Sequence, residues 1–184
     1  MFEGAPYIVG GDEHHLIRAE SDPGRIYKFT HGDNFGCRAY FSKHDPELTG
    51  RHFHGTGNAD PFYYLRRWEI LNSLGGLQTR FEGIVPPEIS GHLPRFCISQ
   101  VALRWQTANR RNPTEDEIER ALRLYGLRKL GGDAYLNFDT RVLLTDAAPR
   151  NVRVIEGAPV PFDAVAEIAS DEILEWARAR ATGF

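Results

Sequence analysis

Sulfur is scarce in this chain: 184 residues hold two cysteines, Cys37 and Cys97, and one methionine. Two cysteines do not make a disulfide scaffold in a chain of this size. Cys97 lies in the apolar run Arg95-Phe96-Cys97-Ile98 and reads as a buried hydrophobe in a reduced cytosol. Long apolar runs are also missing, and none approaches the ~20 residues of a membrane span. The first residues, Met1-Phe2-Glu3-Gly4-Ala5-Pro6, lack the basic and apolar stretches of a signal peptide. A cytoplasmic protein with no membrane partner is the expectation. Excess positive charge is lacking too: the net charge is −3 and the isoelectric point near 6.2, which argues against general nucleic-acid binding. No repeat or low-complexity tract appears. Hydrophobic residues make up 41% and charged residues 26%, so the chain has the means to bury a core. Its length suits one domain or two small lobes sharing a cleft.

Local chemistry marks several elements. Arg25-Ile26-Tyr27-Lys28-Phe29-Thr30 alternates β-branched and aromatic residues and reads as a strand. Arg80–Val85 and Arg95–Gln100 read as two more. Asp60-Pro61 opens a helix, with Asp60 as N-cap and Pro61 at the first helical position. Tyr64, Leu65, Trp68, Leu71 and Leu74 follow at helical spacing, and Gly75-Gly76 ends it. Thr114 and Glu117 form a capping box ahead of Ile118, Ala121, Leu122 and Tyr125; Gly126 or Gly131 terminates this second helix. A last helix spans about Asp171 to Ala181, capped by Ser170 or Asp171, with Ile173, Leu174, Trp176 and Ala177 as core candidates. The Gly- and Asp-rich stretch from about Gly32 to Asp60, carrying His44, His52 and His54, reads as a surface loop. A zinc site from Cys37, His52 and His54 would match no familiar finger spacing. The basic residues Arg104, Arg110, Arg111, Arg120, Arg123, Arg128 and Lys129 are interleaved with acids, as on a solvated face.

Chemistry concentrates near the end. Val142-Leu143-Leu144 is a short buried strand, Asp146 follows it, and Pro149 bends the loop. Asn151 stands five residues after Asp146. Val152, Val154, Val160 and Phe162 alternate as in half-buried strands, with Glu156-Gly157 as the turn. That hairpin returns Asp163 to the end of the sheet where Asn151 sits. Phosphoryl transfer needs this set: a carboxylate to position the attacking hydroxyl, and an amide oxygen plus a second carboxylate to hold Mg²⁺. Taken singly, each residue suits an ordinary turn or cap equally well. Lys28 lies between apolar neighbours, sharing a strand face with Ile26 and Thr30, and can reach into a cleft toward phosphates; the alternative is a protective edge-strand lysine. Ile8–Ile17 forms the preceding hairpin, where Gly10 and Gly11 let backbone N–H groups approach phosphate, or make a plain turn. Glu69, the acid inside the first helix, is the candidate partner of Lys28; pairing with Arg66 is the alternative.

These features together resemble the kinase-like domain of bacteriophage and mobile-element polyvalent proteins. They are Gly-Gly followed by acids, Arg-Ile-Tyr-Lys, the Leu-Arg-Arg…Leu-Asn-Ser-Leu-Gly helix, and the closing Asp-x-x-Pro-x-Asn-Val…Val-Pro-Phe-Asp. The likeness runs from about Tyr7 to about Ile168. It implies an α+β chain with a minimal two-lobed protein-kinase-like fold and a truncated C-terminal lobe. Residues 1–99 would form a strand-rich N-lobe with one helix, and 100–184 a small helical C-lobe with the catalytic hairpin. It implies ATP and Mg²⁺ as cofactors and transfer to a Ser, Thr or Tyr hydroxyl. Asp146, Lys28 and Glu69 would be catalytic, Asn151 and Asp163 metal-binding. Gly10, Gly11, Ile26, Lys28, Gln100 and Val101 would hold nucleotide, the stretch from Gln100 to Leu103 offering backbone groups to adenine.

The chain departs from the family pattern at three places. Leu144-Thr145 stands where His-Arg usually precedes the catalytic acid, Ala148 where a lysine usually follows it, and Phe162-Asp163-Ala164 reverses the aromatic and the acid. These changes motivate a second reading, a pseudokinase or nucleotide-binding interaction module of phage or mobile-element origin. Few residues follow Asp163, so the acceptor surface would be unusual or completed by a partner protein or second subunit. The acceptor itself is open, protein or small molecule.

Overall fold

Helix boundaries follow from capping chemistry. The computed structural model describes residues 13–31, 34–43, 53–56, 59–87, 90–103 and 112–181. In chain order the strands are β1 (His14–Ile17), β2 (Arg25–Thr30), β3 (Arg38–Phe41) and β4 (Phe53–Thr56). Helix α1 (Pro61–Ser73) follows, then β5 (Arg80–Val85), β6 (Arg95–Val101) and α2 (Glu115–Arg123). The remainder is β7 (Arg128–Gly131), β8 (Ala134–Leu136), β9 (Val142–Thr145), β10 (Val152–Ile155), β11 (Ala158–Pro161), β12 (Val165–Ile168) and α3 (Asp171–Ala181). The class is α+β, with every strand pairing antiparallel.

The Asp60 carboxylate accepts from the amides of Phe62 and Tyr63 at 2.8 and 2.9 Å, satisfying two orphan donors at the start of α1. Gly75 turns the chain with φ +77°, and the Gly76 amide closes the helix on the Leu71 carbonyl at 2.9 Å. In α2, Thr114 and Glu117 cap each other reciprocally. The Ser170 hydroxyl accepts from Ile173 N at 3.3 Å at the start of α3. Glu156 and Gly157, with φ of 51° and 83°, make the two-residue turn that fixes the β10–β11 register.

Two four-stranded sheets organise these elements, in the orders β1-β2-β6-β5 and β12-β9-β8-β7. Helix α1 packs between them, against β12. One apolar core joins both halves: Tyr64, Trp68, Leu71 and Ile98 meet Ile118, Leu122, Leu144 and Val152. A second cluster sets Ile173, Leu174 and Ala177 of α3 on Leu136 and Leu143.

That second cluster corrects the surface-loop expectation for Gly32 to Asp60. Within it, β3 and β4 form a hairpin, because Phe41 and Phe53 bury their rings against Trp176 at centroid distances of 5.1 and 5.8 Å. His44 and His52 lie outside the described residues, as do Arg104, Arg110 and Arg111. The proposed solvated face is borne out at Arg123, which pairs with Glu119 at 2.6 Å, and at Lys129, which pairs with Glu115 at 3.4 Å. No described helix is long and apolar enough to cross a membrane.

Because Leu122 is fully buried in the shared core, Leu122→Ala should cost about 2–5 kcal/mol. Urea unfolding followed by tryptophan fluorescence and by far-UV circular dichroism should shift together. Separate midpoints for the two probes would show that the halves unfold independently.

Candidate functional site

Lys28 sits in the middle of β2, 7% exposed, with strands on both sides. Its Nζ donates to Asp163 Oδ1 at 3.1 Å and lies 3.5 Å from the Phe162 carbonyl. The Trp68 ring centroid is 5.2 Å from the ammonium, a favourable cation–π distance. The first third of the chain therefore meets its last fifth at an ion pair.

Asp163 is placed by Asn151. The Phe162 and Asp163 amides both donate to the Asn151 carbonyl, at 3.0 and 3.3 Å. The Asn151 amide group in turn donates to the Asp146 carbonyl at 2.9 Å and to Asp146 Oδ2 at 2.7 Å. Asn151 Oδ1 accepts no hydrogen bond among the described residues. Asp146 adopts φ 51°, a left-handed conformation that Asp tolerates better than most residues. The Ala147 amide, bonded to the Asp133 carbonyl at 3.1 Å, and the Asn151 side chain hold it there. Arg150 pairs with Asp146 Oδ1. Lys28, Asp163, Asn151 and Asp146 thus form one connected chain of polar contacts.

Three residues that sequence reasoning did not assign complete the arrangement. Arg67 of α1 is 3% exposed. Its Nη2 donates to the Asp163 carbonyl and its Nε to the Ala164 carbonyl, both at 2.8 Å, while Nη1 meets Glu13 Oε2 at 2.8 Å. Glu13 also accepts from the Cys37 amide at 3.0 Å. His14 Nε2 lies 2.9 Å from the Tyr64 hydroxyl. Arg67 was visible in the sequence as a charge inside the apolar stripe Tyr64, Trp68, Leu71; Glu13 and His14 gave no such signal.

The electrostatics follow from crowding these charges out of water. Burial alone would raise the Asp163 carboxyl, but the charges of Lys28 and Arg67 outweigh it and hold the group below the usual carboxylate range. Burial pulls Lys28 below an ordinary amine, with Asp163 opposing. Burial, then Lys28 and Arg67, keep the His14 imidazole well below its ordinary value, so it is neutral. Burial raises the Asp146 carboxyl, partly offset by Arg150. Burial pushes the Cys37 thiol up to about 11, helped by Glu13, so it is a poor thiolate. The His54 side chain and His52 of that imagined zinc set lie outside the described residues.

Two expected roles need correction. Glu69 does not meet Lys28: it pairs with Arg66 at 3.3 Å on the exposed face of α1. At about 100° per residue, it points away from the buried stripe that carries Arg67, and Asp163 takes its place at the ammonium. The amides expected to face adenine are engaged inside the chain, Val101 N with the Leu77 carbonyl at 2.9 Å and Ala102 N with the Gly24 carbonyl at 2.8 Å. The Gln100 side chain is buried and donates to the Phe162 carbonyl at 3.2 Å and to Thr79 Oγ1 at 3.1 Å, so it braces the Asp163 loop. Ile26 sits opposite Gln100 in the sheet. Gly10 and Gly11 lie outside the described residues.

No family model, curated protein or solved structure matches the chain.

His14 carries a testable consequence. With the folded imidazole held well below its ordinary value of 6.5, the unfolded chain binds the extra proton below that value, so stability falls as pH drops through it. The slope should approach about 1.4 kcal/mol per pH unit. In His14→Gln, denaturant midpoints between pH 7.5 and 5.5 should lose most of this slope; an unchanged slope would rule His14 out as its source.

Proposed function

We propose that this chain is a minimal ATP- and Mg²⁺-dependent phosphotransferase of the protein-kinase-like type, transferring phosphate to a hydroxyl. The observation that carries the reading is the Lys28–Asp163 contact at 3.1 Å, made across 135 positions beside the Asp146–Asn151 pair. A buried amine facing a carboxylate, next to an amide and a second carboxylate, is the set that phosphoryl transfer needs. The order of elements supports it: a lysine strand, a helix after it, and a hairpin that leads from an Asp–Asn loop to a second Asp.

The donor set fits Mg²⁺, a hard cation that takes oxygen ligands. Asn151 Oδ1 and Asp163 Oδ2, neither spent on a hydrogen bond among the described residues, would hold it. When bound, Mg²⁺ neutralises charge on the triphosphate. Lys28 would give up Asp163 and donate to phosphate oxygens instead. Asp146 orients the acceptor hydroxyl and takes its proton. Each Asp146 oxygen already has one donor, from Arg150 or Asn151, and a carboxylate oxygen accepts a second. The raised pKa of Asp146 suits a group that receives a proton in passing.

Leu144-Thr145 ahead of Asp146 and Ala148 after it favour a second reading, a nucleotide-binding interaction module without transfer activity, because the charge usually supplied to the transferred phosphoryl by a lysine at the Ala148 position is missing.

Thermal unfolding with ATP and Mg²⁺ separates the outcomes. ATP with Mg²⁺ should raise the midpoint, and Lys28→Met or Asp163→Asn should each remove the rise. Asp146→Ala should keep the rise yet lower transfer about a thousandfold, within the range of general-base loss. Equal loss of binding and transfer in Asp146→Ala would overturn its role, and a wild-type rise without phosphorylated product would select the interaction module.

A further inference from the structure

Three side chains of metal-ligating type converge beside the Lys28 ion pair. Ligand atoms of Glu13, His14 and Asp163 all lie within 4.8 Å of one another, and no other three His, Cys, Asp or Glu side chains among the described residues come so close. Glu13 and His14 stand at the start of β1, and Asp163 in the turn ahead of β12. The phosphotransferase reading uses Asp163 and leaves the other two without a chemical role.

His14 is what separates this group from a pair of carboxylates. It is 5% exposed, and its Nε2 is bonded to the Tyr64 hydroxyl at 2.9 Å. Its Nδ1 makes no hydrogen bond among the described residues and faces Glu13 Oε2 at 3.9 Å, beyond hydrogen-bond reach. A cation between them satisfies both atoms. Zinc bonds of about 2.1 Å set tetrahedral ligands about 3.4 Å apart, so this gap has to close by only about half an ångström. Each ligand is also held from behind, as metal ligands are. Tyr64 holds His14, Arg67 and the Cys37 amide hold Glu13 at 2.8 and 3.0 Å, and Lys28 holds Asp163 Oδ1 at 3.1 Å. These contacts leave lone pairs on both carboxylates. The Asp163 side chain is 42% exposed, which gives an ion its way in.

We infer that Glu13, His14 and Asp163 form a zinc site, and that Zn²⁺ held there inhibits phosphoryl transfer by taking Asp163 from Mg²⁺. The zinc site stands on the geometry; the inhibition rests on the phosphotransferase reading. Charge decides which ion binds. Lys28 and Arg67 repel any divalent cation, so an ion attracted by charge alone gains little here. Mg²⁺ seeks oxygen ligands and makes little use of an imidazole. Zn²⁺ bonds imidazole and carboxylate alike and recovers from the ring nitrogen what the two cations take away. Three protein ligands leave its fourth position to water.

Zinc chloride is first titrated into the whole chain without nucleotide. Calorimetry should find one Zn²⁺ per chain, and zinc should raise the thermal midpoint. Long-range ¹H–¹⁵N spectra of the seven histidines should show His14 Nδ1 moving with zinc and staying in place with magnesium chloride alone. His14→Gln and Glu13→Gln should each weaken zinc at least about tenfold and lose the thermal shift. Zinc affinity unchanged in His14→Gln overturns the site, as does a response at another histidine with His14 Nδ1 unmoved. In transfer assays zinc should inhibit, added Mg²⁺ should relieve the inhibition, and His14→Gln should remove it. Inhibition that persists in His14→Gln overturns the regulatory half. Zinc bound at His14 in a chain that transfers no phosphate upholds the site and removes the phosphotransferase reading instead.

Discussion

A guanidinium taken out of water must be surrounded by acceptors, and Arg67 meets that requirement with three acceptors from two distant segments of chain. It holds Glu13 at the start of the first sheet and the carbonyls of Asp163 and Ala164 at the approach to β12. Without Arg67, Glu13 would be left as a charge in a mostly buried place, and two carbonyls would lose their donors. Removing one member of a buried pair commonly costs about 3–5 kcal/mol. The cluster balances itself: Lys28 and Arg67 supply two positive charges, Glu13 and Asp163 two negative, and His14 stays neutral among them. Helix α1 is therefore the strut that fixes the first sheet relative to the Asp163 loop.

The loop from Asp146 to Asn151 is fixed by different means. Here a left-handed residue is held by backbone and side-chain contacts on both sides. Strain of this kind persists where the surroundings over-determine the conformation. The result directs the Asp146 carboxylate to the Arg150 guanidinium and the Asn151 amide group. Asn151 bridges from Asp146 to the Asp163 loop.

Much of this was legible in the chain because it rests on local chemistry. Caps set α1, α2 and α3, a Glu-Gly turn set the β10–β11 hairpin, and alternation set β2, β5 and β6. The missed strands have little local pattern. β7 is half charged, β8 has three residues, and β12 begins Val-Ala; β8 and β12 exist because β9 offers pairing partners, and β7 because β8 does. The β3–β4 hairpin depends on Trp176, far along the chain, so no window around Phe41 could reveal it. In the site, Lys28, Asp146, Asn151 and Asp163 were found by spacing. Glu69 was chosen for its charge, although the helical period already put Arg67, not Glu69, on the buried face.

That exchange of an arginine for an expected glutamate changes how the site can work. A glutamate on α1 would hold the Lys28 ammonium directly and keep it fixed. Arg67 repels that ammonium and grips the Asp163 loop through backbone carbonyls, leaving the carboxylate itself bound by Lys28 and partly open to solvent. In the proposed reaction the loop would stay anchored while the Asp163 side chain moved from Lys28 to a metal. Lys28, released from the carboxylate, would meet phosphate oxygens in its place. One charge-assisted contact is traded for another of similar strength, so nucleotide arrival need not move the backbone. In the proposed phosphotransferase, Arg67 supplies the fixed frame and Asp163 the moving part.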